Sequence, residues 1–308
     1  MKSGRLRPQP QQSRSIPRAS ESSEACRLAY TTGRDCKLHS PDEYMATMTT
    51  AQLEPWLAAL EARHLADLTF SEVSRSLRAL SATYVERRDR LREGAALSGD
   101  GKRAAFALFY GPIHYLLIER IVQQVPGATA GAAQLVDLGC GTGAAGAAWA
   151  GACARRPQIV GVDRHPWALA EAARTYRELG FRGRTIRGDV ATIRLPKSPA
   201  LVLAAFTVNE LTDDARHALL ARFLDCGNRG DRVLVVEPLA GFVARWWPAW
   251  RQAFIAAGGR ADEWRFRVEL PLIVARLDRA AGLDHRELTG RSLYLSPGGR
   301  NVRLTSLR

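Results

Sequence analysis

The chain has 308 residues, 46% of them hydrophobic and 24% charged, enough for one sizeable core and unlike a wholly disordered chain. Its net charge of +13 points toward polyanionic partners such as nucleic acid. Five cysteines form no C-x-x-C pair and no Cys/His zinc spacing, and no apolar run approaches the roughly 20 residues of a bilayer span, so no disulfide scaffold, metal site or membrane segment is expected.

Residues 1–46 are rich in Pro, Ser, Gln and Arg and lack hydrophobic periodicity, which predicts a disordered tail. The tail also reads as an upstream extension before a start at Met45 or Met48, or as a transit peptide, against which Glu21 and Glu24 argue. No apolar signal-peptide core is present, and the cysteine usage fits a reduced cytoplasmic protein.

Residues 47–127 read as a helical region. Leu53, Trp56, Leu57 and Leu60 recur at helical spacing, as do Phe70, Val73, Leu77, Leu80 and Tyr84, with a charged end at Arg87–Arg92. After a loop over Leu97–Gly101, a further helix is expected over Ala104–Val125, broken or kinked at Gly111-Pro112. The stretch from Lys102 to Tyr115 is a candidate lid, with Tyr110 and His114 as candidate site residues.

Residues 128–300 alternate strand and helix signals. Leu135-Val-Asp-Leu138 suits a strand buried on both faces. Gly139, Gly141 and Gly143 follow in a tight turn that lets backbone approach a ligand, and Gly146 lets the next helix pack closely. Such a turn marks a nucleotide-type ligand at the carboxyl end of a parallel strand. No Gly-Lys-Ser/Thr follows, so a Walker A loop is excluded. Gly141-x-Gly143-x-x-Gly146 also satisfies the dinucleotide fingerprint, but Asp137 beside it would repel a pyrophosphate and favour a cationic ligand.

Further strands end in acids. Gln158–Asp163 places Asp163 where a carboxylate can bind ribose hydroxyls. Thr185–Val190 brings Asp189 to its end, although Gly188-Asp189 also reads as a simple turn. Pro166 starts a helix with Leu169, Ala172, Ala173 and Tyr176 on its apolar face. Leu201–Glu210 covers a fourth strand and its exit, where Asn209 can hydrogen-bond a substrate and Glu210 can accept a proton, or simply brace the loop. Thr212 caps a helix that Gly227 stops. Arg232–Pro238 is a fifth strand, Gly241–Ala257 a helix kinked at Pro248, and Trp264–Leu270 and Glu287–Leu295 a final antiparallel pair flanking a helix at Leu272–Ala281. Val243, Trp247, Trp250 and Phe254 fall on one face, read as a buried stripe in preference to an RNA-stacking one. Cys140 reads as a small filler with nothing nearby to activate it.

Asp137-x-Gly139-x-Gly141-x-Gly143, with Asp163 and Asp189 following in order, resembles the signature of class I S-adenosylmethionine-dependent methyltransferases. The resemblance implies an α/β Rossmann-like sheet, mostly parallel with the last strand antiparallel. It implies S-adenosyl-L-methionine as cofactor, held by Asp137, Gly139, Cys140, Gly141, Gly143, Asp163, Arg164, Asp189, Val190 and Thr207. The wider pattern is Arg103–Pro112, then Ala205-Phe-Thr-Val-Asn-Glu-Leu211, then Val235-Val-Glu-Pro-Leu239. It is similar to the methyltransferase-like proteins associated with the small ribosomal subunit and their bacterial relatives, although this chain has no Cys after Cys226 and so lacks their C-terminal cysteine cluster.

That similarity and the positive charge imply RNA or the small ribosomal subunit as partner. The charge is scattered and carried mostly by Arg, with only Lys2, Lys37, Lys102 and Lys197 as lysines. A small-molecule substrate is the alternative, and a cofactor-binding assembly factor with little turnover is another. The strand-four exit matches neither the Asn/Asp-Pro-Pro-Tyr/Phe pattern of amino-directed nucleic-acid methyltransferases nor the paired cysteines of cytosine-C5 enzymes.

Overall fold

The computed structural model describes residues 50–86, 97–195, 199–239 and 244–297. The expected tail over 1–46, the charged end at Arg87–Arg92, and Gly241 to Val243 lie outside the described residues.

Seven strands form one sheet: β1 (Gln134–Leu138), β2 (Gln158–Asp163), β3 (Gly183–Arg187), β4 (Leu201–Ala205), β5 (Arg232–Glu237), β6 (Arg260–Arg267) and β7 (Glu287–Leu295). Their order is β3-β2-β1-β4-β5-β7-β6. The first five pair in parallel, and β7 runs antiparallel to both β5 and β6. Every residue of β4 is buried, as expected of a parallel strand covered on both faces. The strand order reverses between β1 and β4, which opens a crevice at their carboxyl ends. This is the Rossmann-like class I methyltransferase sheet that the sequence predicts.

Helices cover both faces. On one side α1 (Thr50–His64), α2 (Phe70–Glu86), α3 (Asp100–Ala105), α4 (Gly111–Gln124), α5 (Ala144–Ala152), α6 (Pro166–Glu178) and α9 (Leu272–Ala280) contribute to one buried cluster running from Leu53 to Tyr294. The N-terminal helices therefore share their core with the sheet. On the other side lie α7 (Asp213–Asn228) and α8 (Trp247–Ala256). Trp247, Trp250 and Phe254 are buried there, so this stripe is core. Pro248 sits in the first turn of α8, where its missing N–H costs nothing, and does not kink the helix.

Four boundaries differ from expectation. No break occurs at Gly111-Pro112: a π-helical turn over Phe106–Tyr110 joins α3 to α4 and absorbs the proline's ring and missing donor. The resulting 25-residue helix, Asp100–Gln124, is long and apolar enough to cross a membrane by length and composition, and 78% of that window is buried inside this fold. That burial makes it a core helix here. Gly227 does not stop α7; a Cβ there would lie 3.0 Å from Leu295 Cδ1, so the glycine permits packing on β7, and Gly230 at φ +92 ends the helix instead. β6 starts at Arg260 because its ladder with β7 extends that far. β3 ends two residues before Asp189.

α1 is latched to α6 by charge. Arg63 donates to Glu171 at 2.6 Å and to Glu178 at 2.8 Å, and His64 Nε2 lies 3.1 Å from the same Glu171 oxygen. Burial by itself pushes the Glu171 carboxyl up, but the bonds and charges of His64 and Arg63 outweigh it and hold the group at about 2. A folded value below the ordinary 4.5 means that this stability is present above pH 4.5 and is lost as pH falls toward 2. Glu171→Gln should lower unfolding stability by about 3 kcal/mol and flatten the acid limb, measured by urea titration between pH 2 and 7; an unchanged midpoint throughout would refute the latch.

Candidate active site

The crevice is built around the turn after β1. Gly139, Gly141 and Gly143 have φ of +71, +51 and +77, a region that other residues adopt only with strain. Space is also lacking. A Cβ on Gly139 would lie 2.4 Å from Thr207 Oγ1, and one on Gly146 would lie 2.6 Å from Asp137 Oδ2. Thr207, at the exit of β4, donates its hydroxyl to the Leu138 carbonyl at 3.0 Å. The N–H groups of Gly139 and Cys140 donate to the Val162 carbonyl at 2.8 and 3.0 Å. The turn thus ties the ends of β1, β2 and β4 together.

Three carboxyl groups surround it. Asp163, at the end of β2, accepts from the N–H of Gly141 at 3.1 Å and of His165 at 2.8 Å. A carboxylate offers about four acceptor sites, so Asp163 retains capacity for two hydroxyls. Asp137 is 1% exposed and turned beneath the turn, where it accepts from Gly146 N–H at 3.1 Å. Its Oδ1 is buried with no hydrogen-bond partner. Burial pushes the Asp137 carboxyl up to about 7, the Gly146 bond opposes this, and the Asp163 charge adds to it. Asp137 therefore supports the turn from below and keeps one carboxyl oxygen without a partner.

Glu210 closes a short 3₁₀ turn, Val208–Glu210. Burial, then the charge of Asp163, raise its carboxyl to about 7, with Arg164 opposing. Its N–H donates to the Thr207 carbonyl at 3.0 Å, but its carboxyl has no hydrogen-bond partner among the described residues, so the side chain does not brace the loop. Asn209 does. Its Nδ2 donates to Glu237 Oε2 at 2.6 Å, its N–H to Glu237 Oε1 at 3.2 Å, and its Oδ1 accepts from Trp246 Nε1 at 2.9 Å. These bonds orient the Asn209 amide from both ends and leave one Nδ2 hydrogen and one Oδ1 lone pair outside them. Burial pushes the Glu237 carboxyl up to about 8, and bonds from Asn209 and Val208 pull it down.

The remaining predicted residues sit at the β2–β3 side. Asp189 lies beyond β3, accepts from Ala191 N–H at 2.8 Å and stands 3.9 Å from the exposed Arg164. Val190 is buried, and its carbonyl accepts from Arg222 at 3.1 Å. Cys140 is buried, its thiol pushed well up by burial first and by Asp137 and Asp163 next, so it is a filler.

Sequence reasoning passed over three contributors. Phe106, on the π-helical turn, packs over the glycines: a Cβ on Gly141 would touch its ring at 3.3 Å. Phe206 holds φ +58 at the end of β4, where no sequence signal marks it. Glu237 closes β5 as Asp163 closes β2, and the acid at a strand end was the available signal.

The residues suit the expected cofactor. Cramped glycines admit only backbone against a ligand, Asp163 keeps acceptor capacity, and the orphaned Asp137 oxygen and Glu210 make the crevice acidic. An anionic pyrophosphate would be repelled there, whereas a cationic sulfonium and ammonium would be drawn in.

A family model described as a methyltransferase domain matches residues 135–230. No curated protein matches the chain. Among solved structures, the chain is similar to mitomycin 7-O-methyltransferase at 15% identity and a TM-score of 0.46, covering 81% of this chain and 76% of that one. It is similar to a SAM-dependent methyltransferase from Aquifex aeolicus at 14% identity and a TM-score of 0.38, covering 58% of this chain and 89% of that one. It is also similar to a Pyrococcus horikoshii protein named as an RNA methyltransferase, at 15% identity and a TM-score of 0.40, covering 65% of this chain and 85% of that one.

Asp163→Ala should weaken S-adenosylhomocysteine binding by about 10- to 100-fold, the loss of charge-assisted bonds worth ~1.5–3 kcal/mol. Calorimetry checks this, and unchanged affinity would remove Asp163 from the site. The match over 135–230, which spans the glycine turn and the strands around it, makes this part of the chain a methyltransferase domain.

Proposed function

We propose that the protein methylates an oxygen or nitrogen nucleophile, with RNA of the small ribosomal subunit as the acceptor and Glu210 as the group that takes the proton. The carrying observation is Glu210 itself, a carboxyl beside Asp163 with no hydrogen-bond partner among the described residues. S-adenosyl-L-methionine, held by Asp163 and the glycine turn, would supply a methyl group on a positively charged sulfur for displacement by the acceptor. The chain's part is chiefly positioning, worth up to ~7–11 kcal/mol in favourable cases. Asp163 and the glycine turn hold one side, and Thr207 fixes the β4 exit against β1. Glu210, at about 7, is balanced between protonated and ionised near neutral pH, as suits a general base.

The RNA reading is supported by the net charge of +13 and by Arg182, Arg184 and Arg187, which are exposed along β3 at the open edge of the sheet. A small-molecule acceptor is the second reading. It is favoured by the roof over the crevice, where Phe106 touches the turn at Gly141.

Transfer of tritiated methyl groups into total RNA and into a metabolite extract separates the two. Under the RNA reading, label enters RNA, and binding to ribosomal RNA weakens steeply as salt rises from 50 to 200 mM. Label confined to the metabolite extract would replace it with the second reading. In either pool the rate should rise as pH passes about 7, where Glu210 loses its proton. Glu210→Gln should cut turnover by ~10²–10⁴ and abolish that rise; a variant with wild-type rate and profile would exclude Glu210 as the base.

A further inference from the structure

The roof of the crevice contains a histidine whose arrangement the cofactor site does not explain. Phe106, Tyr110 and His114 follow one another at intervals of four along the π-helical turn and the start of α4. Their rings gather closely: 5.9 Å from Phe106 to Tyr110, 5.9 Å from Tyr110 to His114, and 6.3 Å from Phe106 to His114. In a regular α-helix, residues eight apart lie about 12 Å apart along the axis; the wider π turn and the inward lean of the rings bring the outer two together. π-helical turns of this kind occur often at functional sites.

The three rings have different fates. Phe106 packs over the glycine turn at Gly141. The Tyr110 hydroxyl is 3.0 Å from Ser81 Oγ, deep between helices. His114 lies flat on Phe206, with ring centroids 4.0 Å apart and planes 16° from parallel. Phe206 is the sole described non-glycine residue with positive φ, at +58, and it stands between β4 and Glu210. Strain of this kind persists where surrounding structure imposes it. Its N–H donates to the Val236 carbonyl of β5 at 2.8 Å. The stack therefore stands at the carboxyl ends of β4 and β5, and the chain runs from Phe206 directly into the turn that ends at Glu210.

The other histidines in sheltered positions are all engaged. His64 Nε2 meets Glu171, His165 Nδ1 accepts from the N–H of Trp167, and His285 Nδ1 meets Asp278. His114 alone among these four has no hydrogen-bond partner among the described residues. Its ring is half-buried, and burial pushes its pKa down to about 3, so it stays neutral with one donor and one acceptor nitrogen.

We propose that His114 binds the methyl acceptor, hydrogen-bonding a planar aromatic or heteroaromatic ring that carries the O–H or N–H to be methylated. The proposal rests on the methyl-transfer reading above and narrows its substrate class. The flat His114–Phe206 pair supplies a wall for a ring, and a neutral imidazole meets a neutral polar edge without trapping a charge. An RNA base and a free aromatic metabolite share this chemistry.

Two measurements test it. Diethyl pyrocarbonate, which modifies neutral accessible imidazoles, should label His114 in the full-length protein with and without S-adenosylhomocysteine, as mapped by mass spectrometry. Failure to label His114 while the exposed His217 reacts would overturn the proposal, whatever acceptor is found. His114→Phe keeps the stack and removes both nitrogens, and His114→Asn restores hydrogen-bonding capacity. Both should bind S-adenosylhomocysteine within about threefold of wild type. Transfer to total RNA or to the metabolite extract should fall at least about 50-fold in His114→Phe, chiefly in kcat/KM, and recover in part in His114→Asn. Wild-type transfer in His114→Phe would overturn the proposal. Absence of transfer by the wild-type protein to both pools would instead count against the methyl-transfer reading, with the labelling result still deciding whether His114 is open to a ligand.

Discussion

The structure turns on a lack of space where β1 meets its helix. Gly139 faces the Thr207 side chain, and Gly146 faces the Asp137 carboxyl, with no room for a Cβ at either place. The β1 end, the β4 exit and the start of α5 are consequently held at backbone contact. Everything placed by those elements inherits that precision. Asp163 reaches the Gly141 N–H only because β2 lies in register beside β1. Glu210 reaches the crevice because Thr207 anchors the turn that precedes it.

Burying carboxyl groups around one turn is costly, and the protein manages each differently. Asp137 is sealed beneath the turn with one backbone donor and an orphaned oxygen. Asp163 accepts from two backbone N–H groups. The Glu210 carboxyl has no hydrogen bond among the described residues and is pushed up by burial and by Asp163. Glu237 takes bonds from Asn209 and steadies the same segment from behind. Similar side chains thus differ in their bonds: Asp163 and Glu237 are held by donors, and the Glu210 carboxyl is not.

The N-terminal helices complete the site. Latched to α6 through Arg63, His64 and Glu171, and sharing one buried cluster with the sheet, they carry the π-helical turn over the crevice. Phe106 closes above the glycines, and His114 meets Phe206 from the opposite element. The aromatic stripe of α8, by contrast, is spent on packing, and the exposed Arg164 beside Asp163 is a basic group at the crevice itself.

The glycine turn, Asp163 and the strand run were legible in the sequence because they are local: buried parallel strands read as continuous apolar runs, and a tight turn against a ligand demands glycine at close spacing. The helix through Gly111-Pro112 was not legible, because a proline predicts a break until a neighbouring π turn absorbs it. Nor were the roles of Asn209 and Glu210 separable. They are adjacent in sequence, yet one is committed to Glu237 and Trp246, from elements after it in the chain, and the other faces Asp163. His114 and Phe206 lie 92 positions apart in the chain and stack only because α4 crosses the end of β4. Local backbone chemistry was written in the chain itself. Which polar groups are satisfied and which remain open depended on long-range contacts, which only the tertiary structure supplies.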